Sequence, residues 1–108
     1  MKVSEAAQKA GFQVIVQGED PEIEGIYCGD LLSWVMGKGQ PGQAWITVQS
    51  HLNVIAVAVL REFSCLILAE GAQFPPEVIE RAENEGLCLL CSELPVYETA
   101  LKLHETGI

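Results

Sequence analysis

The amino-acid sequence predicts a compact α/β layer fold with a mainly parallel sheet, contained in a single domain over residues 1–108. Three observations carry that prediction. Short apolar, β-branched runs alternate with amphipathic stretches along most of the chain, the pattern of strand–helix–strand units. Glycine or proline stands at most of the boundaries between them. The length of 108 residues, 49% apolar and 19% charged with a mean hydropathy of +0.24, is enough for one core without cross-links and argues against disorder. It is too short for a barrel, a full dinucleotide fold or a complete kinase.

The elements follow in order. Ser4 precedes Glu5–Ala10 as an N-cap and Gly11 stops it, which predicts a short first helix. Phe12–Val16 is a strand, with Val14, Ile15 and Val16 β-branched. Gln17–Pro21 is a turn cluster, and Ile26–Cys28 is the second strand, ending at Gly29-Asp30. Asp30 is placed to N-cap a helix over Leu31–Met36, closed by the glycine-rich loop Gly37–Gly42. Ala44–Val48 is the third strand.

His51–Phe63 is ambiguous by periodicity, because Val54–Leu60 is apolar throughout. With Ser50 available as N-cap, it is expected to be a buried helix. Cys65–Ala69 is the fourth strand. Glu77–Glu85 is an amphipathic helix with Pro76 near its first turn, Val78, Ile79 and Ala82 on one side, and Gly86 as its stop. Leu87–Cys91 is the last strand and Pro95–His104 the last helix.

Charge narrows the classes of partner. Fifteen acidic against six basic residues give a net charge of −9, repulsive towards nucleic-acid backbones and anionic lipid. The run Val54–Leu60 is far short of the about 20 residues a membrane span needs. Met1-Lys2-Val3 leads straight into polar Ser4–Lys9, not a secretory signal, so a cytoplasmic location is expected. The acid-rich stretches Glu19–Glu24 and Glu77–Glu85 read as solvated faces, with a basic partner surface as the sharper alternative.

The four cysteines are Cys28, Cys65, Cys88 and Cys91. Cys88 and Cys91 have the C-x-x-C spacing of redox and zinc sites, yet they lie in an apolar strand rather than at a helix start. Residues three apart on a strand face opposite ways, so the pair cannot close on one metal. All four are expected to be small core residues, and no metal or cofactor is expected.

In open α/β sheets, ligands collect beyond the carboxyl ends of the strands. Those ends here supply Gly29-Asp30, Gln49-Ser50-His51 with Asn53, Glu70-Gly71, and Ser92-Glu93. As a ligand edge this set offers a base (His51), acids (Asp30, Glu70) and hydrogen-bonding groups at a helix start (Ser50, Asn53). Asp30 and Ser50 serve equally well as caps and Gly71 as a turn residue, which leaves His51 and Asn53 least explained by local structure. Gly29 to Lys38-Gly39 fails the phosphate-loop spacing, and no hydrolase, zinc-protease or dinucleotide motif occurs, so no catalytic residue is assigned. Trp34, if its short helix exposes it beside Val35 and Met36, would anchor a dimer; burial of Trp34 and Trp45 in the core is the alternative.

The order of these pieces resembles the DRTGG domain family. The residues that carry the resemblance are Gly18-Glu19, Ile26–Met36, Trp45–Thr47 followed by Val54–Ala58, Cys65–Leu68, the Glu77–Gly86 helix, Leu87–Ser92 and Tyr97–Ala100. The family is similar in fold to the N-terminal domain of HPr kinase/phosphatase, which implies a small three-layer α/β/α domain and supports a helix over Asn53–Phe63. Such domains accompany phosphotransacetylases and CBS-domain pyrophosphatases as regulatory or oligomerising parts, and stand-alone copies occur in anaerobic bacteria. The segment that names the family should follow Ile46-Thr47, where this sequence has Gln49-Ser-His-Leu-Asn53. The Asp-Arg pair and the glycines are absent, so only the position of a site carries over. Val96 also replaces the threonine often found near the start of the last helix.

The function expected is a non-enzymatic regulatory or oligomerisation module, a homodimer that senses a small ligand at the strand edge. The alternative is a nucleotide- or metabolite-binding switch acting on a partner enzyme encoded nearby. A redox enzyme built on Cys88 and Cys91 is the least supported reading.

Overall fold

The computed structural model describes residues 1–108 as a five-stranded sheet between two layers of helices. The helices are α1 (Val3–Ala10), α2 (Leu32–Lys38), α3 (Leu52–Leu60), α4 (Pro76–Glu85) and α5 (Val96–Glu105); the strands are β1 (Gln13–Val16), β2 (Gly25–Cys28), β3 (Gln43–Thr47), β4 (Cys65–Leu68) and β5 (Cys88–Cys91). The strand order is β1-β5-β4-β3-β2, with β2 to β5 parallel and β1 antiparallel to β5. The sequence-predicted α/β/α architecture and mainly parallel sheet are therefore observed. No helix is long and apolar enough to cross a membrane.

Side-chain alternation along the strands makes two cores. Trp45, Leu66, Leu68 and Leu89 meet α2, α3 and α4 on one face, whereas Ala44, Ile46, Cys65, Ile67, Cys88 and Leu90 meet α1 and α5 on the other. Trp45 is the largest of the fully buried side chains; its ring packs 5.5 Å from that of Phe63 and its indole N–H donates to Gly29 O at 2.9 Å. That bond satisfies the one polar group the ring takes into the core.

α3 resolves the ambiguous apolar run as a helix. Its inner face, Val54, Ile55, Val57 and Ala58, is buried, but Leu52, Ala56, Val59 and Leu60 face outwards, so it is less enclosed than expected. Trp34 and Trp45 part company: Trp45 is in the core and Trp34 is 62% exposed. Cys65 and Cys88 are buried and Cys91 half-buried, but Cys28, on edge strand β2, is exposed, contrary to its expected core role.

Three expected N-caps are corrected. Helix α1 begins one residue before Ser4, whose backbone N–H and hydroxyl instead donate to the Asp20 carboxylate at 2.7 and 2.6 Å. Leu31 and His51 occupy the cap positions of α2 and α3 and make no side-chain cap bond, so neither Asp30 nor Ser50 caps a helix. In each case a tertiary partner or a one-residue shift of the helix start displaced the local preference.

The chain enters the sheet at edge strand β1 and must cross to the opposite edge to begin β2. Residues 17–24 make that crossing past the amino ends of the parallel strands, bonded on the way to Gly86 O, Val3 N and Gly42 O. Gly18 sits with φ +58 against the Gly86 and Leu87 backbone, where a side chain has no room. Asp20, also at positive φ (53°), brings its carboxylate onto the first turn of α1, satisfying an N–H that no intrahelical carbonyl reaches.

The two Ser4 bonds hold the Asp20 carboxyl below its ordinary value of 3.8, the side-chain bond contributing most. A lowered native pKa stabilises the fold above the unfolded-state value, and that stability is lost as pH falls through the native one. The midpoint of urea unfolding is accordingly expected to drop below about pH 4, and Asp20→Asn, which tolerates the same backbone, is expected to flatten that part of the profile.

Candidate functional site

The parallel register sets the carboxyl ends of β2, β3, β4 and β5 along one edge, so the four predicted clusters do share it. They form two groups there. In the first, Thr47 Oγ–H and Val48 N–H both donate to Asp30 Oδ1, at 2.6 and 3.0 Å. Gln49 closes the group, its side-chain amide donating to Asp30 O at 3.2 Å and its backbone N–H to Thr47 Oγ1 at 3.2 Å. Gly29 N–H joins β3 through Ile46 O at 3.2 Å. Asp30 thus ties the end of β2 to the end of β3, and only part of its carboxylate faces solvent.

In the second group, Glu70 and Gly71 both adopt left-handed backbone, φ 65° and 69°. This tight reversal lets Glu70 N–H donate to Leu94 O and Gly71 N–H to Ser92 O, locking the β4–α4 loop to the β5–α5 turn. Ser92 is buried, and its hydroxyl pairs with Thr99 Oγ1 at 2.8 Å while accepting from Leu94 N–H at 3.1 Å. That hydroxyl is engaged within the turn rather than pointed at solvent. Ser50, His51 and Asn53 lie between the groups at the start of α3; His51 and Asn53 are exposed.

Two cavities open on this edge. One of about 370 Å³ lies beside Tyr27, Gly29, Asp30, Leu31 and Trp34 at the β2 margin. The other, of about 200 Å³, is more enclosed and lies between Ile15 on β1, Phe74 and Ile79 at the α4 side, and Cys91 on β5. No lysine or arginine lines either cavity.

Loss of water around the sulfur raises the ordinary pKa of all four cysteine thiols, most strongly at buried Cys65 and in part even at Cys28, whose surface is otherwise exposed. At Cys91 the Glu93 carboxylate adds to it, and at Cys28 Asp30 does. A raised pKa keeps these groups as thiols at neutral pH, the opposite of a nucleophilic cysteine. Cys88 belongs to the α1/α5 core and Cys91 packs against the other, so the C-x-x-C pair is split by the sheet.

Sequence reasoning missed Thr47, Phe74, Gln13 and Gln73 at this edge. A lone hydroxyl ending an otherwise apolar strand was the available signal for Thr47; the others depend on β1 lying next to β5, which local patterns do not encode. It also missed the largest groove of the molecule, about 560 Å³ at the opposite edge, where Glu19, Glu22, Glu24, Glu62 and Glu85 border a floor of Ala58, Phe63 and Leu87. No set of side chains in the chain is spaced to hold a metal ion.

Removing the Asp30 carboxylate should leave the buried Thr47 hydroxyl without its acceptor. Asp30→Ala is expected to cost about 1–3 kcal/mol in urea unfolding and Asp30→Asn distinctly less, since an amide oxygen can take the same place.

No family model matches the chain, and no curated protein matches it. Among solved structures, it is similar to the CBS and DRTGG domains of the regulatory region of Clostridium perfringens pyrophosphatase, crystallised with the activator diadenosine tetraphosphate. That likeness has a TM-score of 0.75 at 11% identity and spans 94% of this chain and 45% of the other. The chain therefore covers less than half of that regulatory region, and what the two share is the fold.

Proposed function

We propose that this chain is a non-enzymatic regulatory module that self-associates and senses a small molecule at the carboxyl edge of its sheet. The observation that carries the reading is the likeness in fold, over nearly the whole chain, to a regulatory region that binds an activator. The edge where α/β sheets receive ligands carries two cavities beside polar strand-end residues, whereas the larger groove at the opposite edge is crossed by residues 17–24 and rimmed by five glutamates. Gly29, Asp30, Gln49, Ser50, His51, Asn53, Glu70, Gly71 and Ser92 mark that edge, with Ser92 and Asp30 acting mainly by holding its shape.

The self-associating surface is apolar and helical. Leu52, Ala56, Val59 and Leu60 recur at the spacing of one helix face, with no charged residue anywhere in α3. Leu31, at the cap position of neighbouring α2, and Trp34 within it are each 62% exposed. Arg81 and Glu85 border this patch, and the Lys38 ammonium lies 5.6 Å over the Trp34 ring. In a chain of net charge −9 it is thus a face with little excess negative charge, where two copies meet with least repulsion.

A nucleotide switch acting on a separately encoded enzyme is the second reading, favoured by the nucleotide activator of the similar structure. The absence of lysine and arginine from both edge cavities weighs against a polyphosphate ligand, which would rest on backbone N–H groups alone.

Sedimentation equilibrium at tens of micromolar is expected to give a dimer, and Trp34→Ala to weaken it by about tenfold or more. A wild-type monomer contradicts the self-association. Thermal shifts with diadenosine tetraphosphate or ATP separate the two readings: stabilisation that saturates at millimolar nucleotide favours the switch.

A further inference from the structure

The 200 Å³ cavity at the strand edge has a chemical character that its neighbours do not. Its floor is apolar: Ile15, Ala72, Phe74 and Ile79, with the Cys91 thiol at one side. Its rim carries two neutral carboxamides, Gln13 and Gln73, and one charge, Glu93. The Glu93 carboxylate lies over the loop, where a Cβ on Gly71 would come 2.5 Å from Glu93 Oε2. Glycine at position 71 thus leaves room for the carboxylate at the cavity mouth, and its left-handed φ of 69° suits the same residue. The molecule's ion pairs are Met1–Glu22, Lys9–Glu5 and Arg81–Glu85, so Glu93 faces the cavity mouth with no cation of the chain beside it.

We infer that this cavity binds a small amphipathic cation: an ammonium group at Glu93 and the Gln13 and Gln73 carboxamides, with a compact apolar body against Phe74, Ile79 and Ile15. The volume corresponds to about six or seven water-sized groups, which limits the ligand to a short alkyl- or arylamine. Three features select the charge. The single ionised group of the lining is an anion, no lysine or arginine stands near it to neutralise an acid, and the net charge of −9 draws cations to the whole surface. The field of Glu93 reaches into the cavity, where it adds to burial in pushing the Cys91 thiol up. The cavity also joins β1, β5 and the β4–α4 loop, so an occupant bridges elements that are tied to one another through Gly71 and Ser92. The inference rests on the strand-edge reading above and specifies its ligand.

The test uses isoamylamine, isoamyl alcohol and isovalerate, three probes of one shape that differ in charge. Each is titrated to about 20 mM into the ¹⁵N-labelled full chain while backbone amide shifts are followed. Isoamylamine is expected to give saturable shifts at residues 71–74 and 91–93 with a millimolar Kd, and isovalerate to bind at least about fivefold more weakly. Glu93→Gln, at an exposed position that leaves folding intact, is expected to weaken the amine about two- to fivefold. Glu98→Gln, which removes an exposed charge of α5 outside both the cavity lining and the strand-edge set, should leave it unchanged. If isovalerate or the alcohol saturates the same amides as tightly as the amine, the cation assignment is overturned while the strand-edge reading stands. If none of the three moves those amides, the cavity is not the site. An equal loss in Glu98→Gln and Glu93→Gln would reduce the effect to bulk charge and overturn the assignment as well.

Discussion

Burial of β3 and β4 from both sides is the constraint from which the rest of the molecule follows. Ala44, Trp45, Ile46 and Thr47, and the whole of Cys65–Ala69, are buried with neither face of the strands left to water. Strands apolar on both faces need helices above and below, and parallel neighbours need a crossover between them, which here are α2, α3 and α4. Once those crossovers are made, the carboxyl ends of four strands have to line one edge. The remaining demand, moving the chain from β1 to the far margin at β2, is met by residues 17–24 at the other edge. One end of the sheet is thereby crossed by the chain's own backbone, which leaves an acidic groove there, and the other carries turns, two smaller cavities and polar side chains.

Much of this could be read from the residues, because the reasons are local. Trp45-Ile46-Thr47 and Cys65-Leu-Ile-Leu68 are short runs with the volume of buried strands. Val14-Ile15-Val16 has the branching of a strand, although at the sheet edge only Val16 is buried. Gly11 and Gly86 end helices where left-handed backbone is required. The failures are instructive in the same terms. Ser4, Asp30 and Ser50 were read as N-caps because a hydroxyl or carboxylate before an apolar run offers the first turn an acceptor. In the fold, Ser4 donates to Asp20, sixteen residues on, and Asp30 accepts from Thr47 and Val48 across the sheet. Capping preference is a property of a few consecutive residues, and tertiary hydrogen bonds of equal strength outbid it. Cys28 was expected inside for its residue type, but β2 is an edge strand, and strand order is not written in any one segment.

The candidate site divides along the same line. Gly29, Asp30, Gln49, Glu70 and Gly71 were legible as strand ends, and they converge. The 200 Å³ cavity was not, since Gln13 and Ile15 come from the antiparallel strand and reach Phe74 and Cys91 only through the β1–β5 pairing. The resemblance to the DRTGG family concerned the order of elements rather than a signature, and the likeness to a pyrophosphatase regulatory region at 11% identity has the same character. What the two share is a frame of strands and helices. The edge cavities, with acidic and amide groups but no lysine or arginine, are suited to neutral or cationic small molecules more than to a tetraphosphate.

A crystallographic fragment screen addresses the central claim, that the carboxyl edge of the sheet is the ligand-receiving face, without prior choice of ligand. The account predicts that bound fragments cluster between the β4–α4 loop and β5 and beside Asp30 and Trp34. Fragments gathered instead in the acidic groove among Glu24, Glu62 and Leu87, with the carboxyl edge empty, would contradict it.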